Sequence, residues 1–336
     1  MDAKEKATGK KSIQLKISAE PVLDFNCTNC EQEIGAEGQK IFGKMNCPHC
    51  SAAQVVPGKI GDFQIFKVLG RGAISVVFKA LNTRNGQWLA LKVSHKLGRK
   101  PVEFYDDYLG EAKATTFLNH DNIIKVYDYG FANKYPYIAM EMVPGGTLKE
   151  LINADVFLNE AMVLNMAHDI SSGLQAAYLA GIIHGDLKPA NILCHEQREY
   201  KIADFGNFNT KGTAKEEASK IFGTPYYIAP EKVQHKMEDH RSDIYSLGAT
   251  LWHALAGYPP HEGKSVKEVI RAHINNQVPD LKHANPNVSD KTTLLIRRMM
   301  ASNPVSRYQE YRELIDAIED SQKQFDTQAS SGTTGA

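Results

Sequence analysis

The chain has 336 residues, of which 42% are apolar and 23% are charged, and its 39 Lys and Arg residues equal its 39 Asp and Glu residues. This balance leaves no overall charge that would recruit nucleic acid or an anionic membrane. The lysine-rich N-terminus lacks the apolar core of a secretory signal, and no stretch reaches the roughly 18 apolar residues that span a bilayer. We therefore expect a cytoplasmic protein with one domain of about 250 residues and a smaller module.

Four of the five cysteines form two pairs near the N-terminus, Cys27-x-x-Cys30 and Cys47-Pro48-His49-Cys50. Each pair can form a tight knuckle that presents two thiolates to one ion, and two knuckles complete a tetrahedron. In a cytoplasmic chain such pairs favour a metal over disulfide bonds. The pattern resembles a zinc ribbon over residues 23–57, in which a hairpin would connect the two knuckles.

Two interpretations of the metal follow from the same four thiolates. Zinc would staple a domain of about 35 residues, which is too small to fold without such help. Iron would be held in a rubredoxin-like site; we favour zinc. The loops of the ribbon carry no dense Lys/Arg stripe, which disfavours nucleic acid. We therefore interpret the ribbon as a small stabilising or docking module, and whether it binds a partner protein stays open.

The segments on either side of the ribbon predict little fixed structure. Residues 1–22 are expected to be flexible, apart from a short strand where Ile13, Leu15 and Ile17 alternate with polar residues. Residues 57–61 contain a proline and two glycines, which is typical of a linker. We therefore expect the ribbon and the following domain to fold as separate units.

In the following domain, strands are predicted first and helices afterwards. Short apolar runs indicate four strands, at 63–69, 76–81, 88–93 and 137–142. Apolar residues at steps of three and four indicate helices at 160–180, from about 243 to 255 and at 308–318, before a disordered tail over 319–336. This order predicts an α+β, two-lobed architecture.

The residues that carry chemistry cluster in two short stretches. They are His184-Gly185-Asp186-Leu187-Lys188-Pro189-Ala190-Asn191 and Asp204-Phe205-Gly206, each behind a short apolar run. Two acids and an amide in such positions can hold magnesium on a polyphosphate and orient a hydroxyl that attacks it. An ordinary core would not place these groups beside buried runs without partners.

Three further motifs accompany these stretches. They are Gly70-Arg71-Gly72-Ala73-Ile74-Ser75, Leu89-Ala90-Leu91-Lys92 and Gly223-Thr224-Pro225-Tyr226-Tyr227-Ile228-Ala229-Pro230-Glu231. Glycines in a hairpin tip let backbone amides approach phosphate oxygens closely. In this order the motifs resemble those of serine/threonine protein kinases of the bacterial, eukaryotic-like type over residues 62–318.

The resemblance implies a two-lobed protein-kinase fold, with a β-rich lobe over 62–142 and a helical lobe over 145–318. It also implies a non-specific serine/threonine protein kinase. Such an enzyme uses ATP with Mg2+ or Mn2+ and transfers the γ-phosphoryl group to Ser and Thr hydroxyls of protein substrates.

The resemblance assigns a role to each matching residue. The catalytic residues are Asp186, which would accept or orient the proton of the acceptor hydroxyl, Lys188, which would steady the phosphoryl group, and Asn191 and Asp204, which would ligate magnesium. The residues implied to bind ATP are Gly70, Gly72, Val77, Ala90, Lys92, Glu111, Glu141, Met142 and Leu193. The resemblance also implies scaffold roles for Thr224 and for Glu231 and Arg307, which would form an interior pair. Asp243 would hold the backbone of the catalytic loop, the stretch from His184 to Asn191.

Two positions depart from the family pattern. Ser75 stands at the third glycine of the phosphate loop, and Gly185 stands where most of the family has arginine. The sequence HGD also resembles small-molecule phosphotransferases of the aminoglycoside-kinase type, and a nucleotide-binding pseudokinase scaffold is the non-enzyme alternative. The Lys188-Pro189 pair and the 223–231 motif favour a protein kinase, because they build a cradle for a peptide.

Gly185 predicts an unusual mode of regulation. In the family, the arginine at this position commonly pairs with a phosphate group on the activation segment, which here corresponds to residues 204–231. Glycine offers neither a charge nor a side-chain donor for such a phosphate. We therefore predict that phosphorylation at Thr210, Thr213 or Ser219 is not required for activity.

Overall fold

A computed structural model describes residues 19–22, 24–72, 74–94, 109–110, 112–113, 115–133, 135–154, 156, 158–195, 199–205, 225–234, 238–275 and 278–331. These residues form two compact units: one comprises those before position 100 together with 130–137, and the other those of 100–129 and from 138 onward. The strand predicted around Leu15 lies outside the described residues.

Most of the described strands precede the described helices, and only β12 and β13 follow the first two of them, which confirms the predicted α+β class. The described strands are β1 (Glu20–Pro21), β2 (Asp24–Asn26), β3 (Glu33–Gly35), β4 (Lys44–Asn46), β5 (Ala53–Val55), β6 (Gly58–Ile60), β7 (Phe63–Arg71), β8 (Ser75–Asn82), β9 (Gln87–Ser94), β10 (Val126–Ala132), β11 (Tyr135–Met140), β12 (Ile192–Cys194) and β13 (Tyr200–Ile202). Seven of them form one sheet in the order β1-β6-β7-β8-β9-β11-β10. The four strands predicted in the kinase-like domain are all present, as β7, β8, β9 and β11, with ends shifted by one to two residues.

Each cysteine pair forms the turn of its own hairpin. β2 pairs antiparallel with β3 around Cys27 and Cys30, and β4 pairs antiparallel with β5 around Cys47 and Cys50. The prediction of one hairpin connecting the two knuckles is therefore wrong. Strands of three residues are too short for an alternating apolar pattern to reveal them.

The linker predicted at 57–61 is wrong, because most of this segment forms strand β6. β6 pairs antiparallel with β7, with Gly58 opposite Ile65, and with β1 on its other side. Gly61 has a φ of +56°, and this left-handed conformation allows the tight turn into β7. The glycines therefore make a rigid hairpin rather than a flexible connection.

The ribbon and the strands that follow it share one hydrophobic core. Its buried members are Val22, Phe25, Cys27, Ile34, Ala36, Cys47, Val56 and Phe66, with Leu81 packed against them. Phe66 belongs to β7 and Leu81 to β8, so the sheet completes the core that the ribbon is too small to make alone. Contrary to expectation, the ribbon packs as an integral part of the first unit.

The second unit is helical. Its described helices are α1 (Leu148–Asn153), α2 (Glu160–Leu179), α3 (Pro230–Val233), α4 (His240–Ala256), α5 (Val266–Asn275), α6 (Leu281–Ala284), α7 (Asp290–Met299) and α8 (Tyr311–Ser331), with 3-10 turns at Pro189–Asn191 and Pro304–Ser306. The side chain of Asn159 caps the N-terminus of α2, and Gly181, with a φ of +79°, follows its C-terminus as predicted. α2 and α4 supply much of the large apolar core.

Helix α8 extends to Ser331, so the tail predicted over 319–336 is wrong for residues 319–331. Ser321 is buried, and the Nε2 atom of Gln322 donates a hydrogen bond of 2.8 Å to Oδ1 of Asn165 on α2. These contacts with α2 support a helix where the small and polar residues suggested none. Among the helices that the structure describes, none is both long and apolar enough to cross a membrane.

Candidate active site

The glycine-rich hairpin and Lys92 lie on neighbouring strands of the sheet. The amide of Gly72 donates to the carbonyl of Ser75 over 2.8 Å and closes the tip between β7 and β8. The register of β8 and β9 then places Val77 of β8 opposite Lys92 of β9. Ala90 lies on β9 as well, two residues before Lys92. Lys92 is only 8% exposed, and a buried ammonium group requires polar or charged partners. The predicted phosphate loop and its lysine are thus adjacent in one sheet.

Ser75, which replaces the third glycine of the family motif, is buried at the start of β8. A Cβ atom built on Gly72 would lie 3.5 Å from Oγ of Ser75, an ordinary contact distance. The serine hydroxyl therefore sits beside the hairpin tip without forcing it open.

Asp243 holds the backbone of the catalytic loop from helix α4. Its two carboxylate oxygens accept hydrogen bonds of 2.8 Å from the amides of His184 and Gly185. Asp243 is almost fully buried. Burial raises the pKa of this carboxyl, and the hydrogen bonds and the nearby His184 and Lys232 oppose that rise. Asp243 thus holds two successive backbone amides of this loop from helix α4.

The side chain of His184 joins the catalytic loop to the Asp204 stretch. Its Nδ1 atom accepts from the amide of Asp186 over 3.2 Å, so Nε2 carries the proton that bonds to the carbonyl of Ala203 at 3.1 Å. The ring is fully buried and lies 4.8 Å from the ring of Phe205, measured between centroids. His184 is therefore a structural link between the two stretches.

Three side chains meet beside the 3-10 turn Pro189–Asn191: those of Asp186, Lys188 and Asn191. The ammonium group of Lys188 forms an ion pair with Oδ2 of Asp186, and Nδ2 of Asn191 donates to the carbonyl of Asp186 over 2.8 Å. Because that contact takes up the amide nitrogen, Oδ1 is the atom of Asn191 suited to a cation. The three predicted catalytic groups are thus brought together.

Asp204 is tied to Asn191 through the backbone. β12 pairs antiparallel with β13, and the amide of Ala203 donates to the carbonyl of Asn191 over 2.9 Å. Asp204 itself has a φ of +60°, a left-handed conformation that a non-glycine residue adopts only where its surroundings enforce it. The two residues predicted to ligate magnesium therefore lie at the same end of this strand pair, Asn191 directly before β12 and Asp204 two residues after β13.

Glu141 and Met142, two of the residues implied to bind ATP, lie directly after β11, and contacts of Glu141 fix this segment. The amide of Glu141 donates to the carbonyl of Lys125 over 2.8 Å, and its carboxylate forms an ion pair with Lys201 at 3.0 Å. Met142 next to it is half-buried, as is Leu193 on β12. Lys201 was missed by sequence reasoning, because a single lysine on a short strand carries no motif.

Glu231 and Arg307 form the predicted interior pair. Two guanidinium nitrogens of Arg307 donate to the two carboxylate oxygens of Glu231 at 2.7 and 2.8 Å, and Arg307 also donates to the carbonyls of Arg241 and Ala301. Ser242 adds a third hydrogen bond to Glu231 at 2.6 Å. Burial raises the pKa of Glu231, but the hydrogen bonds and charge of Arg307 outweigh it and hold that pKa below its usual value.

Several predicted residues fall outside the described residues. They are Glu111, Thr224 and the three activation-segment positions Thr210, Thr213 and Ser219. Lys232 was not singled out from the sequence, although its Nζ atom donates to the carbonyl of Gly185 over 2.8 Å. It directly follows the Ala229-Pro230-Glu231 motif, so its position next to a scaffold motif was the available signal.

The four paired cysteines fit a tetrahedral metal site. Their Sγ atoms all lie within 4.8 Å of one another, with Cys27 and Cys50 at 3.7 Å and Cys30 and Cys47 at 3.8 Å. Zinc bonds of about 2.3 Å in a tetrahedron require sulfur separations of about 3.8 Å. In each knuckle a backbone amide two residues on donates to the first sulfur, at 3.4 Å in both cases. This geometry is consistent with a zinc ribbon.

Residues 63–317 match the family described as protein kinase domain. The match covers most of the chain and agrees with the arrangement of the catalytic loop, the Asp204 stretch and the Glu231–Arg307 pair. The chain therefore belongs to the protein kinase family.

Curated relatives support this assignment. The chain is 31% identical over 265 residues to the probable serine/threonine-protein kinase CPE1738 of Clostridium perfringens, covering 78% of this chain and 39% of that protein. It is 32% identical over 250 residues to the serine/threonine-protein kinase PrkC of Bacillus subtilis, covering 74% and 39%. With PknB of Mycolicibacterium smegmatis the values are 33% over 269 residues, 77% and 43%. The matched regions thus span about two fifths of these longer relatives.

Proposed function

We propose that the protein is a serine/threonine protein kinase that transfers the γ-phosphoryl group of ATP to hydroxyl groups of proteins. The observation that carries this proposal is the convergence of Asp186, Lys188 and Asn191, with Asp204 tied to the same loop through Ala203. The names of the relatives, all serine/threonine-protein kinases, support the substrate class.

Each catalytic residue has a distinct task in this proposal. Asp186 orients the acceptor hydroxyl and takes its proton, while the charge of Lys188 steadies the transferring group. Asn191 and Asp204 offer the oxygen ligands that Mg2+ or Mn2+ prefers, and Lys92 positions the phosphates of ATP. A divalent ion held by Asn191 and Asp204 would supply neutralisation of the phosphate charge during transfer.

We expect Asp186→Asn to lower phosphoryl transfer to protein by at least about 100-fold, because the amide cannot accept the proton of the hydroxyl. The fold and ATP affinity should stay near wild type, since asparagine matches aspartate in size. Transfer of labelled phosphate from Mg-ATP to a mixed protein substrate, followed by phosphoamino-acid analysis, measures the effect.

The same assay separates the competing functions. Phosphate on aminoglycosides but not on protein would contradict the proposal in favour of a small-molecule phosphotransferase. ATP binding without transfer to either, in wild type and Asp186→Asn alike, would favour a pseudokinase scaffold.

We also propose that activity does not depend on phosphorylation of the activation segment. Gly185 carries no side chain to receive a phosphate, and the backbone of the catalytic loop is already held by Asp243. The triple variant Thr210→Ala, Thr213→Ala and Ser219→Ala is expected to retain activity within about threefold of wild type. Loss of turnover while ATP still binds would contradict this expectation.

The cysteine site is proposed to hold structural zinc. Free thiols that fit a four-cysteine site suit a reducing compartment, which favours the cytoplasm. We assign residues 23–57 to the ribbon and 62–318 to the kinase domain, and we infer that stabilisation of the sheet is the first role of the ribbon. A partner protein at its surface would add to that role.

A further inference from the structure

The peptide group between Gly185 and Asp186 is held at both ends. Its N–H, from Asp186, donates to Nδ1 of His184, and its carbonyl, from Gly185, accepts from Nζ of Lys232 over 2.8 Å. A peptide group is planar, so fixing both of its polar ends fixes the direction in which the chain enters the Cα atom of Asp186. This plane therefore determines where the carboxylate of Asp186 points.

Gly185 makes such external support necessary. Its φ is +72°, and glycine restricts its own backbone less than any other residue. The two peptide groups before that of Gly185 and Asp186 are held by Asp243, which accepts hydrogen bonds from the amides of His184 and Gly185. Lys232 completes this set on the side of the loop that faces Asp186.

Lys232 belongs to a third element of this network, besides the loop of residues 184–186 and the helix α4 that carries Asp243. It lies in the short helix α3, directly after the motif that ends the activation segment. A second contact, with the carboxylate of Glu238 at 3.3 Å, orients its ammonium group, and both side chains are only about one-fifth exposed. Lys232 therefore connects the helix that follows the activation segment to the catalytic loop through its ammonium group.

We propose that Lys232 is a positioning residue for catalysis: by holding the Gly185 carbonyl it orders the peptide group that aims Asp186, a task that needs no phosphate. The inference rests on the proposed kinase activity, since the consequence for turnover exists only if Asp186 acts on an acceptor hydroxyl. The backbone contact itself is independent of that activity.

The test compares three variants of the full chain. Lys232→Met removes the donor while keeping the length of the side chain, and Lys232→Arg restores a cationic donor. Lys291→Met is the matched control, because Lys291 also donates to one carbonyl and one carboxylate, both of Asp320, away from the catalytic loop.

With Mg-ATP and a mixed protein substrate, Lys232→Met is expected to lower kcat by about 10- to 100-fold, the effect of a small misplacement of a catalytic group. The KM for ATP should change by less than about twofold, since no nucleotide contact is removed. Lys232→Arg should recover most of kcat, and Lys291→Met should resemble wild type. Equal kcat in Lys232→Met and wild type, or equal loss in Lys232→Met and Lys232→Arg, would overturn the proposal.

Hydrogen exchange followed by mass spectrometry tests the contact without substrate. Peptides that contain the amides of residues 184–186 should exchange faster in Lys232→Met than in Lys291→Met, with other regions unchanged. If the wild-type protein transfers no phosphate to protein, the proposed function fails. The hydrogen-exchange rates then still test whether Lys232 orders the backbone at Gly185. Unchanged exchange would refute the positioning role, and faster exchange throughout the helical unit would show a general stability effect instead.

Discussion

Loss of metal from the cysteine site is expected to disorder the ribbon and to weaken ATP binding as well. Structural zinc contributes about 10–16 kcal/mol of binding free energy in comparable small modules, as much as the whole stability of about 5–15 kcal/mol of an ordinary domain. Cys27 and Cys47 are themselves part of the core that includes Phe66. Phe66 lies on β7, the strand that leads into the phosphate loop at Gly70.

The double variant Cys27→Ser with Cys30→Ser measures this coupling. We expect it to bind no zinc, to unfold at a lower temperature and to bind ATP more weakly, as followed by metal analysis, thermal melting and calorimetry. Cys194→Ser is the control, because Cys194 is a buried thiol of the helical unit with no part in the metal site. Unchanged ATP affinity in the double variant would mean that the shared core does not couple the two sites.

Replacing Arg307 by alanine is expected to destabilise the helical unit by about 3–5 kcal/mol, because it leaves the carboxylate of Glu231 buried without its partner. The carbonyls of Arg241 and Ala301 lose their donors in the same variant. Urea unfolding followed by circular dichroism gives the free energy of unfolding. Arg312→Ala is the matched control, since Arg312 pairs with Asp316 at the surface, where such pairs contribute about 0–1 kcal/mol.

The effect of Arg307→Ala should depend on pH in a defined direction. The pKa of Glu231 is lowered in the folded protein, so the ion pair stabilises fully above the unfolded value of about 4.3 and loses this contribution as the pH falls through the folded pKa. The stability difference between wild type and Arg307→Ala should therefore be largest near neutral pH and shrink in acid. A difference below about 1 kcal/mol at neutral pH would contradict the assigned role of the pair.

The catalytic loop was predictable because its residues act within a few positions of one another. The loop brings Asp186, Lys188 and Asn191 within six consecutive positions, so their spacing in the sequence is enough to predict that their side chains lie close together. Glu231 and Arg307 are 76 positions apart, and only the family resemblance indicated that they pair. Physical patterns in the sequence alone do not encode such a long-range contact.

The remaining structure depends on contacts that leave no local pattern. Gly58 and Gly61 read as linker residues, yet β7 offers a partner strand that makes a hairpin of them. Polar residues after 318 read as a tail, yet contacts such as Gln322 with Asn165 accompany a continuing helix. Lys232 reaches Gly185 across 47 positions, and one lysine among many carries no mark of that contact.

The position of β6 also affects how readily the sheet could pair with another chain. A strand at the border of a sheet offers unpaired amides and carbonyls to any other chain, and such open edges promote aggregation. β6 covers residues 63–65 of this border of β7, and β1, the outermost strand in the part of the sheet that the structure describes, has two residues. The segments on either side of the ribbon thus also shield this part of the sheet from unwanted association, and a fragment that began at residue 62 would expose the edge of β7 at residues 63–65.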